Sequence, residues 1–103
     1  MSDSNNRLTI ISVQTAVTLG DGTAGNTVLV GIRLSVPLTG TCVITGFQND
    51  AGAAASITLP AASAAGFYEF GGAVVAAKGH LTVTCSNAAD DNDVQVIWRY
   101  GRL

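Results

Sequence analysis

Hydrophobic and polar positions alternate with a period of two along most of this chain. In TVLVGIRLSV, Val28, Val30, Ile32, Leu34 and Val36 fall on one face, with Leu29, Gly31, Arg33 and Ser35 on the other. That is the pattern of a half-buried strand, whose successive side chains point to core and solvent in turn. DVQVIWRY repeats it, with Val94, Val96, Trp98 and Tyr100 inward and Asp93, Gln95, Ile97 and Arg99 outward. Leu81, Val83 and Cys85 share a face in LTVTCS, opposite Thr82 and Thr84. In ASITLP, Ala55, Ile57 and Leu59 lie together, and Pro60 ends the strand because it has no N–H for the ladder. LTIISVQTAVTL reads as one long or bent strand, with Ile11, Val13, Val17 and Leu19 inward and Leu8 and Ile10 on the opposite face. TCVITGF and FYEF are shorter strands whose facing the pattern leaves open.

Turn residues punctuate these runs at GDGTAGN (20–26), PLTG (37–40), QNDAG (48–52), GG (71–72), KG (78–79) and SNAADDND (86–93). Short strands separated by such turns predict an all-β domain, a single small antiparallel β-sandwich of jelly-roll-like form with seven to eight strands. The expected core is Ile11, Val13, Val28, Val30, Ile32, Leu34, Ile57, Leu59, Leu81, Val83, Val94, Val96 and Trp98. A helix over the alanine-rich segment 51–65 is disfavoured, because Gly52 and Pro60 interrupt it and no charged residue supplies a solvated face. The length of 103 residues matches one domain, read as a polar arm at 1–7 followed by a sandwich at 8–103.

Charge changes the picture. Only 12% of residues are charged and the net charge is −2, against roughly 25% charged in a typical soluble domain. Without a basic cluster to displace counterions, nucleic acid is not an expected partner. No run of apolar residues is long enough for a membrane span, and none follows a positive start as in a secretory signal. Synthesis in a cytoplasm is the expectation from that start.

Candidate chemistry is sparse. His80, the single histidine, has no carboxylate or nucleophile beside it in sequence and reads as a residue at a turn–strand junction. Asp90, Asp91, Asn92 and Asp93 are the nearest thing to a cation site. Calcium loops alternate their ligands and use a glycine for the tight turn, and this run does neither, so a solvated loop is expected. Asp21 and Asp50 sit in turn contexts. Cys42 and Cys85 fall in separate predicted strands, and cytoplasmic synthesis favours buried thiols over a bridge. The glycines of 20–26 lack the GK[ST] of a phosphate loop, and no serine occupies a G-x-S-x-G elbow. No catalytic residue, metal or cofactor is expected, and the chain is not read as an enzyme. Phe67, Tyr68, Phe70, Trp98 and Tyr100 form either core and interface or a sugar-stacking platform.

From TCVITGF onward the arrangement resembles the small decoration or cement proteins of tailed-bacteriophage virions. The features are the turn at Gln48–Gly52, the strand ending Ile57–Pro60, the segment Tyr68–Glu69–Phe70–Gly71, the T-V-T strand at Leu81–Cys85 and an aromatic-rich last strand. The resemblance spans roughly residues 8–101 and implies a structural role, with many copies assembled in the host cytoplasm onto a virion. The partners it implies are further copies of the chain, a trimer being one form, and a larger virion scaffold of capsid, neck or tail, such as the major capsid protein. It supplies no functional residues. Alternation independently leaves Leu8, Ile10, Leu29 and Ile97 facing outward on a lightly charged chain, with Arg33 and Arg99 beside them as rim charges. Those six are the expected contact residues. A carbohydrate-binding or adhesin-like sandwich is the alternative; it needs an exposed aromatic platform or a calcium loop, and Tyr68 or Trp98 standing in solvent would favour it.

Overall fold

A computed structural model describes residues 6–20, 22, 27–49, 51–76 and 80–100, with backbone alone at 71–74. Eight strands form: β1 (Arg7–Ile11), β2 (Val17–Leu19), β3 (Thr27–Leu34), β4 (Cys42–Gln48), β5 (Ala54–Leu59), β6 (Gly66–Val75), β7 (Leu81–Cys85) and β8 (Val94–Tyr100). One 3-10 turn, Ala88–Asp90, precedes β8. The strands make two four-stranded sheets, ordered β1-β8-β3-β6 and β2-β7-β4-β5. Every pairing is antiparallel. Only the β4–β5 connection stays within a sheet, and every other one crosses between the two layers. That connectivity is the eight-stranded jelly roll, as the alternation predicts.

The inward faces meet in one core. Ile11, Leu29, Ile32, Leu34, Trp98 and the two β8 valines come from the first sheet; Leu19, Cys42, Ile44, Leu81, Val83 and Cys85 come from the second. Val17, Ile57, Tyr68 and Tyr100 pack against its margin. Most of the expected core is inside, and the exceptions have local causes. Val13 is 44% exposed because the expected long first strand is two strands in different sheets, with Val13 in the corner between them. Val36 is exposed because β3 stops at Leu34; Ser35 N still donates to the Asp93 carbonyl, and Val36 lies beyond that last ladder bond. Val30 and Ile57 are half-buried. The glycines at 71–72, expected as a turn, lie within β6. The turn glycine Gly79 and most of the loop at 20–26 fall outside the described residues.

Two bulges alter the parity that simple alternation assumes. Leu29 pairs with Trp98 while Gly31 pairs with Ile97, so Val30 is an extra residue on β3. Upstream of it the inward residues are therefore Thr27 and Leu29, both at 0% exposure; downstream they are Ile32 and Leu34. Val28 is buried but pairs with Arg99 and Val75, on the side away from the core. On β4, Thr45 pairs with Ser56 and Phe47 with Ala55, leaving Gly46 as the extra residue at φ 106°. Glycine tolerates that left-handed backbone without strain. A side chain there would also run into the His80 carbonyl oxygen.

Candidate interaction surface

The outward face of β1-β8-β3-β6 follows from the register, since directly paired residues share a side of the sheet. One row across the strands reads Ile10, Gln95, Arg33, Phe67. The next reads Leu8, Ile97, Gly31, Glu69, and the last Arg99, Val28, Val75. Five of the six expected contact residues, Leu8, Ile10, Arg33, Ile97 and Arg99, thus converge on one face. Leu29 does not: the Val30 bulge turns it into the core at 0% exposure, which corrects its assignment as an outward contact.

Four of the six large exposed hydrophobics among the described residues belong to this face: Leu8 at 56%, Ile10 at 48%, Phe67 at 49% and Val75 at 39%. Phe67 and Val75 are additions that sequence reading missed. The facing of FYEF was ambiguous, and β6 carries its own irregularity, pairing Glu69 with Gly31 but Val74 with Leu29. The Phe67 ring lies across the strand over Gly31. A Cβ at Gly31 would collide with that ring and sit 2.7 Å from the Tyr68 carbonyl oxygen. The missing side chain lets the aromatic ring lie low, so the face is smoother than its residue types imply. Across it, Arg33 Nη1 donates to Gln95 Oε1 at 3.2 Å.

The opposite outer face has another character. Thr18, Thr82, Thr45 and Ser56 form one cross-strand row, and Thr84, Val43 and Thr58 the next. No Asp, Glu, Lys or Arg occurs in β2, β4, β5 or β7. The low charge content is therefore concentrated in one sheet, whose hydroxyls satisfy water without ionic groups.

The remaining candidates lie away from this face. Asp90 is 1% exposed, and its two carboxylate oxygens accept hydrogen bonds from Thr39 N and Gly40 N, each at 2.8 Å. Asp91 accepts from Gln14 Nε2, and Asp93 Oδ1 accepts from Ser35 Oγ at 3.1 Å. Asn92, at φ 68°, donates its N–H to the Ile11 carbonyl. The expected solvated loop is instead a hub that fastens two connections, the Asp91 carboxylate holding β1–β2 and those of Asp90 and Asp93 holding β3–β4. Among the described residues no three His, Cys, Asp or Glu side chains converge on a point. Asp21 and Asp50 lie outside the described residues. In the β4–β5 turn it is Asn49 whose side-chain oxygen accepts from Ala51 N and Ala53 N.

His80 is exposed on the rim of a cleft of about 500 Å³ bounded by Thr45, Phe47, Gln48, Ala54 and Ser56. Trp98, 9% exposed, donates its indole N–H to Thr9 Oγ1 at 2.9 Å and meets Tyr100 edge-on at 5.3 Å. Arg7 caps that pair, 4.6 Å from the Tyr100 ring centroid. β1 already includes Arg7, so the sandwich begins one residue before the expected boundary. Tyr68 packs against the core and donates its hydroxyl to the Ala64 carbonyl at 2.6 Å. Neither Tyr68 nor Trp98 stands free in solvent as a stacking platform. Compared with known protein families, curated proteins and solved structures, the chain matches none.

Proposed function

We propose that this protein is a non-enzymatic structural module that self-associates through the outer face of β1-β8-β3-β6 and decorates or cements a larger protein shell, a bacteriophage capsid in the first instance. The observation that carries the reading is the gathering of Leu8, Ile10, Ile97, Phe67 and Val75 on one sheet face, where Arg33 and Arg99 stand on the two central strands among them and not at the rim. Aliphatic and aromatic groups interspersed with arginine are the composition of protein interfaces rather than of free surface. Four strands about 4.8 Å apart and seven residues long give a footprint of about 450 Å² before side-chain relief. That is a large share of the roughly 800 Å² each partner buries in a stable complex. The jelly roll recurs in viral shells but also in lectins and cupins, so the surface and not the fold supports the role. Many weak contacts on a repeating lattice would add as avidity. The sugar-binding alternative is less favoured with Trp98 and Tyr68 packed against the core, although Phe67 stays exposed.

Sedimentation velocity of the wild-type chain and of Ile97→Lys tests the proposal. The expected result is a concentration-dependent oligomer for the wild type and a folded monomer for the variant, since a lysine centred on the face leaves its charge buried only in the complex. Co-sedimentation with purified capsid shells should follow the same order. A wild-type chain that stays monomeric at high concentration and ignores shells overturns it.

A further inference from the structure

Cys42 and Cys85 stand directly opposite each other on β4 and β7, with 0% and 1% exposure, both as free thiols. The ladder on either side defines the kind of pair they make. In the adjoining pair, Ser86 N donates to the Thr41 carbonyl at 3.0 Å, while Thr41 N is taken by Ser86 Oγ at 2.8 Å. Thr41 and Ser86 therefore occupy a hydrogen-bonded site of the antiparallel ladder. Sites alternate, so Cys42 and Cys85 fall on the neighbouring non-hydrogen-bonded site, where Cα atoms are only about 4.5 Å apart and side chains lie closest. That separation is within the usual Cα range of a disulfide, about 4.4–6.8 Å.

We infer that Cys42 and Cys85 are a latent disulfide site, a dithiol that closes into a cross-strand bridge between β4 and β7 when the protein meets an oxidant of the disulfide class. The proposal rests on register, burial and the ladder pattern, and is independent of the assembly role. The step balances with an external disulfide such as oxidised glutathione. Cys85, as thiolate, attacks one sulfur of the oxidant, forming a mixed disulfide and releasing one glutathione thiolate. The Cys42 thiolate then attacks the Cys85 sulfur, forming the internal bond and releasing the second glutathione. Two protein thiols are oxidised, one external disulfide is reduced to two thiols, and the two protons pass to the departing thiolates.

The two thiols are close enough to perturb each other: the hydrogen bond with Cys85 pushes the Cys42 thiol up, with burial and the nearby Cys85 and Asp90 acting in the same direction. The same bond draws the Cys85 thiol down, against its burial. Because both sulfurs lie in the core, the first attack awaits a transient opening of the sheet, and the closed bridge is shielded from reductant once formed.

The test uses the full chain, purified with reductant and then unfolded and refolded with oxidised glutathione. Intact mass and thiol labelling in denaturant are read beside a thermal melt. The expected product has lost two hydrogens, carries no labelled thiol, remains monomeric by non-reducing electrophoresis, and melts at least about 10 °C higher than the reduced form. Reductant should restore the lower melt. The double variant Cys42→Ala/Cys85→Ala should melt identically with and without oxidant. If it fails to fold, the wild-type mass alone decides. Two free thiols after refolding, glutathione adducts without an internal bond, intermolecular dimers, or a bridged form that melts lower each overturn the inference.

Discussion

At the scale of single residues, position in the register decides what a side chain is for, and chemical type alone does not. Asp90 and Asp91 are neighbours of one kind, yet Asp90 holds two backbone N–H groups from inside the protein while Asp91 reaches a loop glutamine at the surface. Replacing Asp90 with alanine should strand the Thr39 and Gly40 donors and cost about 2–4 kcal/mol, read as a lower midpoint in urea. An unchanged midpoint would mean that water replaces the carboxylate freely. Leu29 and Ile97 make the matching comparison for apolar side chains, both on the outward side of a simple alternation. Leu29→Lys places a charge in the core, so it should destroy the cooperative melt of the monomer, with well over 3 kcal/mol lost. Ile97→Lys should leave that melt nearly intact. Equal effects from the two would contradict the bulge at Val30.

At the scale of elements, the bulge on β3 is the device that lets one strand serve two sets of neighbours. With Val30 as an extra residue, Leu29 meets Trp98 inside while Gly31 meets Ile97 outside, and Phe67 is able to lie over the gap. Deleting Val30 removes the extra residue and forces a choice: either Thr27 and Leu29 turn outward, or Ile32 and Leu34 do. Each alternative exposes two core positions. The deletion should therefore abolish the cooperative thermal transition, in contrast to Val30→Ala, which trims only a half-buried side chain and should cost about 1 kcal/mol. A deletion variant with a normal melt would show that the strand slips without penalty. The corner between β1 and β2 works in the same register-setting way, since it moves the chain from one sheet to the other and leaves Val13 outside both.

At the scale of the whole molecule, the two sandwich faces divide their roles. One is a hydroxyl-lined sheet without charged residues, and the other holds exposed aliphatic and aromatic groups beside Arg33, Arg99 and Glu69. Loops at the β8 end are bound by side chains of the protein itself. The melting temperature should therefore change by less than about 2 °C between millimolar calcium and chelator, because a ligand at a hundred times its Kd would add close to 3 kcal/mol and raise the melt by many degrees. A rise of that size would place a cation at the Asp90–Asp93 hub and overturn the structural account of its carboxylates.

The chain's alternation by itself determined the class of fold and most of the core, because side chains with a two-residue period bury one face of an unbroken strand. TVLVGIRLSV, LTVTCS and DVQVIWRY needed no partner to be read as strands, and Pro60 needed none to end β5. Lone residues in a linear pattern also sufficed to pick Leu8, Ile10, Ile97, Arg33 and Arg99. Three things depended on tertiary structure. Leu29 went inside because a one-residue bulge reverses parity, and a bulge leaves no mark on composition or period. Phe67 joined the outer face because the register pairs it with Arg33, and its ring lies over Gly31, relations between positions far apart in the chain. Cys42 met Cys85, and Asp90 met Thr39 and Gly40, because strand pairing and loop closure bring together residues that local sequence keeps tens of positions apart. Periodicity reports which side of a strand a residue takes; only the register says what it finds there.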